Sequence, residues 1–420
     1  VTVVTSAVHD RRVPSRLILM VLVVALVAGL AGLLPERFAG TGAPWGTIVA
    51  ELGRQVAAVS APTAVPPPAS AAPEELIRAL GAGAAPAADE LAAYWSTVAP
   101  ERRAVLLQQM PRAIGRLEGV DYRDRDAGNR AALAAAIAGP SAGTATIATA
   151  VSVADALDDV EQRGLPAQLV SFEDTEDLDA RAAIAVGDLD TADTIAFLVP
   201  GMDYSVDEDL GTLTAAALNL YDEQEEQLRD QGSGATHAVV AWLGYRTPAA
   251  APSIEVLLED RAIAGGALLA SALEGVRAVR GDGAVLAVVA HSYGTRVATY
   301  ALSSGASADA LVLIASPGVA ETVSTASQLA VPLEHVWAAR ARNDGPAALG
   351  LNLGVLFGGN ADPLATAFGA QVFGQTLGGD YDHGLLEVEL TGGERLGYLD
   401  LATESLREIA VLGLGLTLAA

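Results

Sequence analysis

The 420-residue chain contains no cysteine and no lysine, so all 25 of its basic residues are arginine. The first absence excludes disulfides, cysteine-ligated zinc and cysteine nucleophiles. The second excludes Ser–Lys dyads, Schiff-base chemistry and the phosphate-binding lysine of P-loops. Aromatic residues make up only 5% of the chain, so a core drawn from its 51% apolar complement must be built mainly of Ala, Val and Leu. Histidine is scarce too, with five in the chain and no His-Glu-x-x-His pair, which removes the helical zinc-hydrolase motif. The alternating-aspartate spacing of a calcium loop is also missing. The sequence therefore predicts no metal and no cofactor. Positive charge is outweighed by 51 acidic residues, leaving a formal net charge of −26. Such a surface repels nucleic acid and anionic headgroups, so no nucleic-acid partner is expected. The acidic clusters Glu173–Asp193 and Asp203–Glu226 read as solvated faces.

The remaining composition divides the chain. Residues 1–16 end in Arg11, Arg12 and Arg16, and Leu17–Leu34 is an unbroken run of 18 apolar or glycine positions. That length is near the lower limit for crossing a hydrocarbon core, and the arginines put the N-terminus on the cytoplasmic side. The expectation is a short cytoplasmic segment, a transmembrane anchor over 17–34 and an extracytoplasmic remainder, with a cleaved secretory signal as the rival reading. Residues 35–88 are rich in Pro and Ala and read as a linker. Residues 89–160 carry helical periodicity, with Leu91, Trp95 and Val98 on one face and Pro100 suited to a helix start. They are expected to form a helical subdomain preceding a main domain over 161–420.

In the main domain, apolar runs of strand length alternate with helical stretches. Strands are expected at Gln168–Phe172, Ala182–Val186, Thr194–Val199, Ala238–Leu243, Val285–Ala290, Ala310–Ile314, Val336–Ala341 and Gln371–Leu377. Helices are expected at Ile254–Val279 and Arg296–Ser303. This alternation predicts an α/β fold with a mostly parallel sheet covered on both sides.

The most specific motif is Ala290-His-Ser-Tyr-Gly294, which joins an apolar strand directly to a helical pattern. This is a nucleophile elbow in which Ala290 replaces the first Gly of G-x-S-x-G. So tight a strand-to-helix turn admits only small residues two before and two after the serine. Ser292 is thereby the candidate nucleophile. The elbow resembles that of α/β-hydrolases, whose order Ser, acid, His implies a general base later in the chain, and two histidines lie there. His335 opens a strand, at the wrong edge of the sheet. His383 lies in a loop after the last expected strand and is the candidate base. Asp344, just past the strand beginning at Val336, is the candidate acid, with Asp362 and Asp382 as weaker substitutes. Backbone N–H groups of Tyr293 and of Met202, after the Pro200-Gly201 turn, are the candidate oxyanion donors. Trp242 and Tyr245 lie near a strand end and read equally as pocket lining or as core.

Several segments resemble a family of bacterial α/β-hydrolases of high-GC Gram-positive lineages. They are the elbow, Leu107–Val120 with Arg125-Asp-Ala-Gly-Asn-Arg, Val199-Pro-Gly, Trp242-Leu-Gly-Tyr-Arg-Thr-Pro, Ala315-Ser-Pro-Gly-Val and Asp362-Pro…Phe368-Gly-Ala. The resemblance spans about residues 90 to 410 and implies an α/β-hydrolase fold with a serine nucleophile. The chain departs from the pattern where the family has His-x-x-Tyr ahead of Ser-Leu-Arg. Here Arg395 stands in the histidine position and Tyr398 keeps the tyrosine, so either His383 supplies the base from an expanded loop or the domain has lost its base; the first is the expectation. The expected activity is hydrolysis of a small-molecule or lipid-like carboxylic ester by Ser292, His383 and Asp344. The alternative is a catalytically silent binding or envelope-scaffold protein on the same fold.

Overall fold

In a computed structural model the described residues run from 87 to 418, apart from 140–143, 175–179, 250–252, 254, 343, 358–359, 375–380, 382, 387, 391–392 and 402. The apolar run at 17–34, the linker and Asp382 lie outside them. Five helices come first: α1 (Ala88–Thr97), α2 (Pro100–Gln109), α3 (Pro111–Gly115), α4 (Tyr122–Ala138) and α5 (Thr144–Gln162). Proline opens α2 and α3, where its missing N–H has no intrahelical partner to lose. Leu91, Trp95, Leu106, Ile114, Leu117 and Val120 close into a small core of their own.

The arginine-rich motif at 125–130 joins these helices to the sheet. Arg125 is buried and forms a salt bridge with Glu118. Asn129 Nδ2 donates to the carbonyls of Gly115 (3.0 Å) and Leu169 (2.8 Å), while Asp126 accepts the Leu169 N–H at 2.7 Å. One turn of α4 therefore holds both α3 and the first strand. In this way the segment of family resemblance farthest from the elbow acts as a fold clamp.

The sheet comprises β1 (Ala167–Glu173), β2 (Arg181–Val186), β3 (Thr194–Val199), β4 (His237–Leu243), β5 (Val285–His291), β6 (Ala310–Ile314), β7 (Val336–Ala339) and β8 (Gln371–Val372). Their spatial order is β1-β2-β4-β3-β5-β6-β7-β8. The pairs β1/β2 and β2/β4 are antiparallel, and every pair from β4 to β8 is parallel. A two-stranded hairpin, β9 (Val388–Leu390) with β10 (Gly393–Arg395), stands apart from the sheet. The expected strands are present, but two are shorter than the apolar runs suggest. β7 stops at Ala339, and among the described residues β8 keeps two exposed positions, Gln371 and Val372; residues 375–377 of the expected strand lie outside them.

Inner strands are apolar on both faces because both faces are covered. In β3, Ala196 and Leu198 enter one core while Ile195, Phe197 and Val199 enter the other. The first core is roofed by α4, α5, α6 (Val206–Asp230) and α10 (Glu404–Gly413), through residues such as Leu213, Leu220 and Ile409. The second is roofed by α7 (Asp260–Arg280) and α8 (Gly294–Ser303), through Leu269, Leu273 and Val297. Each such side chain, fully buried, contributes roughly 1.5–3 kcal/mol. Ser205 caps α6, accepting from the Glu208 N–H at 3.3 Å, and Asp207, Glu208 and Asp209 face the positive end of that helix. Most of the acidic cluster at 203–226 thus falls on the first turn and the second half of a long helix. Among the described residues, only Asp260–Gly283 is long and apolar enough to cross a membrane, and half of its apolar 18-residue stretch is buried in the fold. After α8, a helix α9 (Gly345–Phe357) comes between β7 and β8.

Candidate active site

β3 and β5 are parallel neighbours, with Val199 opposite Ala290, so the segments leaving the two strands emerge side by side at one edge of the sheet. After β5 the chain turns into α8 within two residues. Ser292 holds this turn with φ of 53°, a left-handed conformation that few non-glycine residues adopt. Its N–H is fixed by the Ile314 carbonyl at 3.0 Å, at the end of the adjacent β6. The turn closes because its flanks are small. A Cβ on Gly294 would lie 2.5 Å from the Pro200 carbonyl oxygen, and Ala290 is fully buried. Gly201 completes the fit: a Cβ there would lie 2.7 Å from Ser292 Cβ and 3.0 Å from Oγ.

The three residues selected from sequence meet at this edge. His383 Nε2 is 2.7 Å from Ser292 Oγ, and His383 Nδ1 is 2.8 Å from Asp344 Oδ1. Asp344 sits five residues past the end of β7 and is buried. Burial alone would raise its pKa. The His383 hydrogen bond and charge, with the Ala347 N–H (3.0 Å) and the Tyr398 hydroxyl (3.0 Å), outweigh that and hold it below the usual carboxylate value. Asp362 lies elsewhere, paired with Arg340 at 3.2 Å. His335 ends a 3-10 turn before β7, at the opposite edge of the sheet from Ser292.

The oxyanion candidates flank the serine in sequence and space. Tyr293 caps α8, and Met202 comes directly after the Gly201 that abuts Ser292. Among the described residues neither backbone N–H has a hydrogen-bond partner. Trp242 and Tyr245 are in the core, their rings stacked with centroids 6.0 Å apart. Tyr245 has a definite task there: its hydroxyl lies 2.9 Å from the Pro200 carbonyl and 3.0 Å from that of Gly201, so it braces the turn before Met202. A cavity of about 550 Å³ is lined by Tyr221, Glu225, Arg229, Thr236 and His237. It opens at the start of β4, the end of the sheet away from Ser292, and contains no member of the Ser-His-Asp group.

Two further residues at the site are not among the candidates drawn from the sequence. Tyr398 donates to Asp344 Oδ2 and accepts the Ala341 N–H at 2.7 Å, bridging the acid to the end of the β7 segment. Its place in the departed His-x-x-Tyr pattern is the available signal. His291 is buried beside Ser292, and its Nε2 lies 2.6 Å from the His383 backbone carbonyl. No sequence signal distinguishes it from an ordinary elbow residue.

Residues 176–349 match the family model described as "Alpha/beta hydrolase". The fold is that of an α/β hydrolase. Two uncharacterized proteins of Mycobacterium tuberculosis are similar to the chain. Rv2079 is 29% identical over 302 residues, covering 63% of this chain and 42% of that protein. Rv0963c is 29% identical over 160 residues, covering 37% of this chain and 58% of that protein. The chain thus spans less than half the length of the first of these. Solved structures similar to the chain include a dienelactone hydrolase from Anabaena variabilis, at 12% identity and TM-score 0.32, covering 59% of this chain and 94% of that one. Esterase PE8 is 14% identical with TM-score 0.30, covering 53% and 91%.

Proposed function

We propose that this α/β hydrolase is a serine hydrolase acting on carboxylic esters. The observation that carries the reading is the continuous hydrogen-bonded line from Ser292 Oγ through the His383 ring to Asp344, with 2.7 and 2.8 Å contacts. Ser292 Oγ attacks the ester carbonyl while His383 Nε2 takes its proton. Asp344 keeps the ring in the tautomer that presents a bare Nε2 and stabilises the imidazolium that forms. The oxyanion is held by the Met202 and Tyr293 N–H groups, each worth about 3 kcal/mol in related sites. His383 returns the proton to the departing alcohol, leaving an acyl-serine. Water, deprotonated by the same ring, then releases the acid.

Reaction of the purified protein with a fluorophosphonate probe tests this. Covalent labelling is expected in the native chain and none in Ser292→Ala. A folded protein that resists the probe would instead favour the silent scaffold. The same proposal keeps the chain at a membrane through residues 17–34, with the hydrolase domain outside. Its support is the 18-residue apolar run behind three arginines. The expected result is that the full chain stays with membranes after alkaline extraction while a chain starting at residue 87 is released. Release of both would remove the anchor.

A further inference from the structure

The loop that carries His383 is tied down on both sides of the histidine. Tyr381 bridges to Leu396, and the carbonyls of Gly384 and Leu385 accept the N–H groups of Tyr398 (3.0 Å) and Leu399 (2.7 Å). All of these ties run to the segment 396–399. The carbonyl between them, that of His383 itself, is taken by a side chain from a different part of the fold: His291 Nε2, at 2.6 Å. His291 is the residue immediately before Ser292, and it ends β5.

We propose that His291 is a positioning residue that fastens the base-bearing peptide to the nucleophile elbow, so that the Ser292–His383 distance is set from both ends. The proposal rests on the serine-hydrolase reading of the site. A carbonyl oxygen can only accept, so His291 Nε2 must carry the proton. Its Nδ1 is then a bare acceptor, and it is buried with no partner among the described residues. Leaving such an atom unsatisfied is unfavourable, and an apolar side chain of similar size would fill the space without that cost. What the imidazole supplies and an apolar residue cannot is the bond to His383. The ring must also be neutral. Its centroid is 5.2 Å from that of His383, which becomes an imidazolium during the reaction, and a second cation at that distance would oppose it. Burial, with the neighbouring His383, depresses its pKa to about 3, which fits that requirement. The local backbone ladder anchors the loop to 396–399, and His291 supplies the link to the elbow.

The first test needs no substitution. Nitrogen chemical shifts of the ring in ¹⁵N-histidine-labelled native protein should show His291 neutral and protonated on Nε2 throughout the neutral pH range. The His383 Nδ1–H shared with Asp344 should give a far-downfield proton resonance. A ring protonated on Nδ1, or one titrating near its ordinary value, overturns the proposal. In the second test, His291→Phe should lose the downfield resonance and react with the fluorophosphonate about 10- to 100-fold more slowly, the range expected for a misplaced catalytic group. His291→Gln, which can still donate to the carbonyl, should recover most of both. Native resonance and native labelling rate in His291→Phe would refute the assignment. Absence of labelling in the unsubstituted protein would instead sink the hydrolase reading. The His291 claim would still be decided by the resonances, because they require no turnover.

Discussion

A φ of 53° at Ser292 is a cost that the surrounding residues must hold in place. They do so through backbone, not through bulk. The Ile314 carbonyl grips the Ser292 N–H, Gly201 abuts the serine, and Gly294 leaves room for the Pro200 carbonyl beside the start of α8. Gly201 is the more informative of the pair, because its missing side chain borders the Ser292 hydroxyl directly. In Gly201→Ala the new Cβ would crowd Ser292 Cβ at 2.7 Å, and a serine pinned at its own N–H cannot retreat. The expected result is about a 100-fold slower reaction with fluorophosphonate. Overpacking of this kind typically costs about 1–3 kcal/mol, so the fold itself should survive. Thermal melting beside labelling kinetics separates the two effects. A native labelling rate would mean that the turn relaxes away from Ser292 without consequence.

Among the elements, α4 carries a load that its weak amphipathicity does not advertise. Its Asn129 amide serves two buried carbonyls, one at the end of α3 and one in β1, a strand at the sheet edge paired only with β2. Asn129→Ala leaves both acceptors without that donor, at a cost of about 1–3 kcal/mol. For a domain of this size each kcal/mol lowers the melting temperature by roughly 2–4 °C. Fluorophosphonate reactivity at lower temperature should be unaffected, and an unchanged melting curve would show that α4 is no clamp. Asn129 also shows where sequence reading stops. The elbow is legible because it is local: an apolar strand, small flanking residues and an immediate helix lie close together in the chain. The strands are legible because burial on both faces leaves long apolar runs. Asp344 can be selected because a parallel strand must deliver its outgoing loop to the same edge as Ser292. The hydrogen bonds of Asn129, Tyr398 and His291 join residues 40, 54 and 92 positions apart, and no local pattern encodes them. The short β8 escapes sequence reading for a related reason. Its apolar run predicts a longer buried strand, but at an edge with only β7 beside it the pairing ends after two residues.

At the scale of the whole molecule, acid acts on stability in two opposed ways. With a net charge of −26 and a sequence pI near 4.4, lowering the pH from neutrality removes self-repulsion, which favours the compact state. The residues around Ser292 work against this. His291, pushed down to about 3 by burial and by His383, stays neutral in the folded chain, while in the unfolded chain it takes up a proton near its usual value of about 6.5. Between these two values the unfolded state binds more protons, so stability falls as the pH falls. The penalty is absent above about pH 6.5, and its slope is at most about 1.4 kcal/mol per pH unit down to about 3. Asp344 adds to it with the same sign. Its folded pKa is depressed, so its contribution is complete above the ordinary carboxylate range and is lost as the pH falls through the folded value. The global charge term can be cancelled by comparing two chains of equal charge at pH 7. His291→Gln removes the titrating ring and nothing else that ionises. Urea unfolding of the native chain and of this variant from pH 8 to pH 4 should show a constant difference above about 6.5. Below it, the native chain should lose stability relative to the variant. Parallel curves across the whole range would mean that His291 gains its proton in the folded state as readily as in the unfolded one, and that the ring is not held neutral.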